Sequence, residues 1–285
     1  MKGLGTALVT PFTKEGKIDF KALNTLVEHQ INGGTDYLVI LGTTSEVPTL
    51  TTEEQDDIIA HIIKQVNGRI PLVLGIGGNS TAMVVERINQ LRDILSNHFA
   101  AILSVTPYYN RPQQDGLYMH FCAVAEASPI PIILYNVPKR TGVNMLPETT
   151  RRIYEAFPDK IIGIKEACGN IEQFEQTIAV ANGDFGVICG DDDLAYEMMK
   201  AGGSGLISVA SNAWPKEMRQ IVHQQDAMMQ RTMGHRIHLL FVEGNPSGIK
   251  TVLTEMRMIH NILRLPLVPN TPNTQMVIRR ALAQQ

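Results

Sequence analysis

Ile161-Ile162-Gly163-Ile164-Lys165-Glu166-Ala167 is a short apolar run that closes on an ammonium group. Its length and its polar boundaries predict a strand. Because apolar residues occupy both faces, the strand belongs to a parallel sheet covered on both sides. A free lysine has a pKa near 10.4, so only about one amine in a thousand is a nucleophile at neutral pH. Desolvation lowers that value by up to about 3–5 units. A lysine at the rim of an apolar core is therefore a candidate for imine formation with a carbonyl compound. The competing reading is a strand-end lysine that reaches water.

The same pattern recurs along the chain. Apolar runs bounded by Gly, Pro, Asn or Thr lie near residues 5–10, 37–41, 72–76, 101–106, 130–136, 161–165, 186–189 and 205–209, each followed by residues of helical period. Strands alternating with amphipathic helices predict an α/β fold, and eight such units predict a closed (β/α)8 TIM barrel over residues 1–226. An open doubly wound sheet is the alternative. Helix starts agree: Thr51-Thr52-Glu53-Glu54 has capping-box spacing, and Pro147 and Pro215 stand where first-turn prolines belong. Residues 227–285 are read as a C-terminal helical extension, because no linker or composition shift marks a second domain.

Bulk composition narrows the class. Of 285 residues, 44% are hydrophobic and 19% charged, with a net charge of −3. A large core is expected, and nucleic acid or an anionic membrane is not an expected partner. Cys122, Cys168 and Cys189 form no CxxC pair, which fits reduced thiols. The N-terminal residues lack a sustained apolar segment, and no run is long enough to span a bilayer. A cytoplasmic protein is expected.

Barrel chemistry sits at the C-terminal strand ends. Those ends carry Gly42-Thr43-Thr44-Ser45-Glu46, Thr106-Pro107-Tyr108-Tyr109-Asn110, Tyr135-Asn136 with Arg140 beyond, Lys165, and Gly190-Asp191-Asp192-Asp193. Counting along neighbouring strands places Tyr135 level with Lys165, where a phenol can shuttle the protons that carbinolamine dehydration requires. Without that neighbour Tyr135 would read as an aromatic core residue. Gly163 shares the Lys165 face and is read as leaving space beneath the amine. The Gly42–Glu46 stretch offers backbone N–H groups and hydroxyls to a carboxylate, although Thr43 and Glu46 also have capping-box spacing.

Weaker motifs have ordinary readings. Gly75-Ile76-Gly77-Gly78-Asn79-Ser80 lacks the third glycine of a dinucleotide fingerprint. The three aspartates from Asp191 are expected to cap a helix rather than hold a metal, and His235 with His238 to lie on a helix surface.

In this order, the Gly-Thr-Thr, Thr-Pro-Tyr-Tyr-Asn-Arg-Pro, Tyr-Asn-Val-Pro-Lys-Arg-Thr-Gly, Ile-Gly-Ile-Lys-Glu-Ala and Gly-Asp-Asp motifs resemble those of the dihydrodipicolinate synthase family, among the pyruvate-dependent class I aldolases. The resemblance spans nearly the whole chain. It implies a lyase of lysine and diaminopimelate biosynthesis that joins pyruvate to aspartate semialdehyde. The runner-up is an N-acetylneuraminate lyase-like aldolase acting on a sugar acid. A barrel that binds without catalysis and a metal-dependent barrel enzyme are more distant readings. By the resemblance, Lys165 forms the imine, and Tyr135, Thr43 and Tyr109 relay protons. Thr44, Ile207 and Gly190 hold pyruvate, and Arg140 takes the carboxylate of the second substrate. No cofactor is implied beyond the covalent imine on Lys165. Tyr109 is expected to be shared across an interface of a homotetramer.

Two stretches depart from the family pattern. Ser45 replaces a glycine, and Gly244-Asn245-Pro246-Ser247-Gly248-Ile249-Lys250 replaces a more usual Asn-Pro-Ile-Pro-Val-Lys. The positions that would bind lysine as an effector read Val47, Pro48, Thr52, Gln55 and Met83. Apolar groups cannot satisfy an ammonium or carboxylate, so weak or absent lysine inhibition is expected.

Overall fold

The structure, a computed structural model, describes residues 1–181 and 184–283. Eight strands run β1 (Gly3–Ala7), β2 (Tyr37–Ile40), β3 (Leu72–Gly75), β4 (Ala101–Val105), β5 (Ile132–Asn136), β6 (Ile161–Glu166), β7 (Gly186–Cys189) and β8 (Gly205–Ser208). They close in chain order into a barrel, with helices between successive strands. Closure replaces the open-sheet alternative, and the fold is the expected TIM barrel.

The chain divides into two compact units, Met1–Gly3 with Pro71–Ile207, and Leu4–Ile70 with Ser208–Gln285. In the first, β3 to β8 form parallel ladders of buried Ile, Leu and Val. Strand β5 begins at Ile132 rather than 130, since Pro131 has no N–H to give the ladder. Its pairing with β6 contains one irregularity, where Ile132 faces Ile161 but Ile133 faces Gly163. A Cβ on Gly163 would lie 2.4 Å from the Gly186 carbonyl oxygen. Gly163 therefore lets β6 and β7 approach each other, a constraint beyond the space for Lys165 that the sequence reading gave it. Pro147 opens the helix Pro147–Ala156 at its first position, as expected.

Strand β1, which belongs to the second unit from Leu4 on, starts earlier than expected, at Gly3 rather than residue 5, because glycines mask it as a strand. They are needed for close approach: a Cβ on Gly5 would meet the Tyr37 ring at 2.2 Å. Thr51 and Glu54 form the expected capping box of the helix Thr52–Val66, and Pro215 opens the helix Pro215–Gln224. The C-terminal residues supply helices Ala227–Leu239, Ser247–Glu255 and Pro272–Ala283. Of the 227–285 extension, Gln284 and Gln285 lie outside the described residues. His235 and His238 are exposed on the first of these helices.

Candidate active site

Strands β5 and β6 bring the central pair together. Tyr135 and Lys165 are register partners, both are buried, and the Lys165 Nζ lies 4.5 Å from the centroid of the Tyr135 ring. The expected alignment holds, and the amine is screened from water at the end of its strand. Room for it comes from Gly190, where a Cβ would sit 2.9 Å from the Lys165 Cε and 2.7 Å from the Ala167 Cβ. The Gly190 N–H donates to the Glu166 carbonyl at 2.8 Å, so the chain after β7 passes directly beside the lysine. Ile207 is buried on β8.

Arg140 is exposed on the short helix Pro138–Thr141, and its backbone N–H donates to the Val137 carbonyl at 2.9 Å. Tyr109 is 88% exposed and has a left-handed backbone with φ of 75°. Its N–H donates to the Thr141 carbonyl at 3.3 Å, which ties the tyrosine loop to the arginine helix. Among the aspartates after β7, Asp191 precedes a single 3-10 turn and makes no side-chain cap bond. That turn runs directly into the helix Ala195–Lys200, whose own N-cap position, Leu194, also makes no side-chain cap bond.

The opposite faces of the same strand ends carry residues that sequence reasoning missed. Asn136 and Glu166 follow Tyr135 and Lys165 and are also register partners. Alternation turns them away from the lysine face. The Asn136 Nδ2 donates to both carboxylate oxygens of Glu166, at 2.9 and 3.1 Å. The Cys168 N–H (3.0 Å) and the Gln173 Nε2 (3.2 Å) complete its donors. Burial pushes the Glu166 carboxyl above its ordinary range, against the lowering effect of Asn136, Cys168 and Gln173. The available signal was polarity: two polar residues at matching positions of adjacent apolar strands.

In the other unit, Thr43–Ser45 form a 3-10 turn after Gly42. The capping-box reading fails there: Glu46 is left-handed at φ 59°, and its carboxylate makes a fully buried ion pair with Lys250. Glu46 also accepts from the Arg264 N–H at 3.1 Å. Lys250 donates to the Ile262 carbonyl at 3.0 Å and stands 4.1 Å over the Phe12 ring. Burial lowers its pKa to about 8 even with Glu46 beside it. Thr44 is buried, and its hydroxyl accepts from the Asn245 Nδ2 at 3.0 Å. Ser45 needs no glycine's freedom, since its backbone is not left-handed, and its hydroxyl donates to the Leu8 carbonyl at 2.6 Å. The unusual 244–250 segment therefore packs on this turn, with Gly248 passing where a Cβ would lie 2.1 Å from the Leu240 carbonyl oxygen. Sequence reasoning missed Asn245 and Lys250 as partners of the turn, since some 200 positions separate them from it.

Of the effector positions, Met83 is 69% exposed, and the Gln55 amide is engaged by the Leu50 carbonyl at 3.3 Å.

The sequence matches the Dihydrodipicolinate synthetase family over residues 1–285. A 4-hydroxy-tetrahydrodipicolinate synthase from Parabacteroides distasonis is 48% identical over 294 aligned positions, covering 100% of this chain and 97% of the relative. The crystal structure of dihydrodipicolinate synthase from Thermotoga maritima superposes with a TM-score of 0.95 at 38% identity, covering 100% of this chain and 98% of that one. The chloride-inhibited enzyme from Acinetobacter baumannii, complexed with pyruvate, gives 0.94 at 40% identity, covering 99% and 98%. By its full-length match and these relatives, the chain belongs to the dihydrodipicolinate synthetase family.

Proposed function

We propose that this chain condenses pyruvate with L-aspartate 4-semialdehyde to 4-hydroxy-tetrahydrodipicolinate, through an imine on Lys165. The observation that carries this is the buried Lys165 amine lying 4.5 Å from the ring of its register partner Tyr135. The amine adds to the keto carbon of pyruvate, and the carbinolamine loses water to give the imine. Loss of a methyl proton gives the enamine, whose carbon attacks the aldehyde. The amine of the second substrate then closes the ring and releases Lys165. The protonated imine is the electron sink, so the proposed chemistry draws on no metal or organic cofactor.

The remaining roles in this proposal follow the resemblance of the motifs that carry these residues. Tyr135 donates and accepts protons in a relay with Thr43 and Tyr109, and Thr44, Ile207 and Gly190 hold the pyruvate end. Arg140 binds the semialdehyde carboxylate, a task suited to a guanidinium. The near-complete exposure of Tyr109 fits its delivery to a partner subunit within a homotetramer. Among the described residues no helix is long and apolar enough to cross a membrane, and we place the reaction in the cytoplasm.

Borohydride with pyruvate should add a stable mass to the peptide carrying Lys165, and an unmodified peptide overturns the mechanism. Arg140→Ala should lower turnover with the semialdehyde on the order of 100-fold by removing a charged hydrogen-bond donor. Adduct formation with pyruvate should survive. Full turnover in that variant would favour the sugar-acid reading instead.

A further inference from the structure

Strands β5 and β6 hold two registers within one ladder. Ile132 faces Ile161, 29 positions on, whereas Ile133 faces Gly163, 30 positions on. The irregularity between them means that the lower part of the ladder does not dictate the alignment of the upper part. Continued upward, the 29-residue register would set Lys165 opposite Asn136 and move Tyr135 against Ile164. The observed 30-residue register sets Lys165 opposite Tyr135. Because side chains alternate faces, a one-residue slip also turns the partner side chain to the other side of the sheet. The difference between the two alignments is therefore the difference between a lysine with a phenol beside it and one without.

What distinguishes them lies immediately beyond the pair. Asn136 and Glu166 are fully buried, and the Asn136 Nδ2 meets both Glu166 oxygens at 2.9 and 3.1 Å. Asn136 is itself held from the far side, since its Oδ1 accepts from the Met145 N–H at 3.0 Å and its Nδ2 also reaches the Asn144 Oδ1 at 2.8 Å. The Gln173 amide joins Asn144 to Glu166, with bonds of 3.1 and 3.2 Å. In the 29-residue register the Asn136 side chain would stand opposite Lys165, and Glu166 would stand against Val137. A carboxylate buried beside an apolar neighbour with its donors withdrawn is costly.

We infer that Asn136 and Glu166 are positioning residues, a cross-strand clamp that selects the register in which Tyr135 stands beside Lys165. The inference rests on the reading that Lys165 and Tyr135 act together on pyruvate, and it adds residues that touch no substrate. The clamp works through geometry, so its loss should appear as a lower kcat and slower trapping of the pyruvate imine.

The test uses the full-length enzyme. Glu166→Leu and Asn136→Ser each break the tie and should lower kcat on the order of 100-fold, the scale expected when a reacting group is misplaced by about an ångström. Glu166→Gln keeps an oxygen for the Asn136 amide and should retain kcat within about fivefold of the parent, a rescue that distinguishes the tie from the charge. In a Tyr135→Phe background, where the phenol proton is already gone, Glu166→Leu should cost less than about threefold more, because the two changes remove the same function. Folded Glu166→Leu or Asn136→Ser enzyme with kcat within about threefold of the parent overturns the clamp. So does an equal loss in both backgrounds, which would mark a general scaffold role. If Glu166→Leu does not fold, Asn136→Ser carries the same comparison. A Lys165 adduct in the parent together with active clamp variants sinks the clamp alone, whereas a missing adduct in the parent sinks the imine reading.

Discussion

Glu46 and Glu166 are the same side chain, both buried to about 1% exposure or less, and both lie within two positions of a residue assigned to the reaction. They are satisfied in opposite ways. Glu46 is neutralised by Lys250 in a buried ion pair, while Glu166 is held by amide and backbone N–H donors, with no ion pair among the described residues. An ion pair is strong only while both charges are present, since removal of one leaves the other uncompensated in a low dielectric. A cluster of carboxamides is more forgiving, because each can reverse its oxygen and nitrogen and re-form most bonds. The turn after β2 is thus fixed by an ion pair, and the end of β6 by neutral donors around a single carboxylate.

The same isosteric change at both positions separates these two modes of support. Glu46→Gln should destabilise the protein by about 3–5 kcal/mol, because Lys250 then lies buried without a counter-charge. Denaturant titration measures this, and a loss below about 1 kcal/mol would show that the pair contributes little to the fold. Next in size is a third buried group that carries no charge at all. His120 is 3% exposed, its Nδ1 meets the Thr81 hydroxyl at 2.9 Å, and burial lowers its pKa from 6.5 to about 4. The folded value lies below the unfolded one, so between these pH values the unfolded chain binds the extra proton. Stability is therefore lost as pH falls from about 6.5 towards 4, by on the order of 3 kcal/mol. Melting curves across that range should be flatter for His120→Asn than for the parent. Parallel curves would remove His120 as the source.

How much of this was legible in the sequence follows from the range of the interactions. The eight strands and the level placement of Tyr135 and Lys165 were readable, because hydrophobic period and residue counting are local. Strand β1 was misplaced because its glycines serve a neighbour, the Tyr37 ring, which no local pattern shows. The tightest constraint on Gly163 was hidden for the same reason, being the Gly186 carbonyl on the next strand. The capping-box alternative for Glu46 arose because its spacing from Thr43 is local, whereas its partner Lys250 lies 204 positions away. Asn136 and Glu166 were visible as polar residues in apolar strands, yet their pairing required the register beyond the irregularity at Ile132 and Ile133.

The smallest expected effect is the most discriminating. Glu166→Gln should change stability at neutral pH by less than about 2 kcal/mol, since an amide nitrogen in place of Oε2 removes only the two longer contacts, 3.1 Å from Asn136 and 3.2 Å from Gln173, while Asn136 and Cys168 still donate to the remaining oxygen. Its pH dependence carries the sharper sign. Burial raises the Glu166 carboxyl above 4.5, so just above 4.5 the folded state holds a proton that the unfolded state has released. The parent therefore loses stability as pH rises from 4.5 through the folded value, and the lost part is the cost of keeping the carboxylate charged away from water. The glutamine does not titrate, so this contribution to the slope should vanish in the variant, and its stability relative to the parent should improve from pH 4 to pH 7. Melting curves at closely spaced pH values measure the difference. A variant that instead weakens relative to the parent as pH rises would mean that the charge at Glu166 stabilises the fold, and the contrast with Glu46 would then be one of degree rather than of kind.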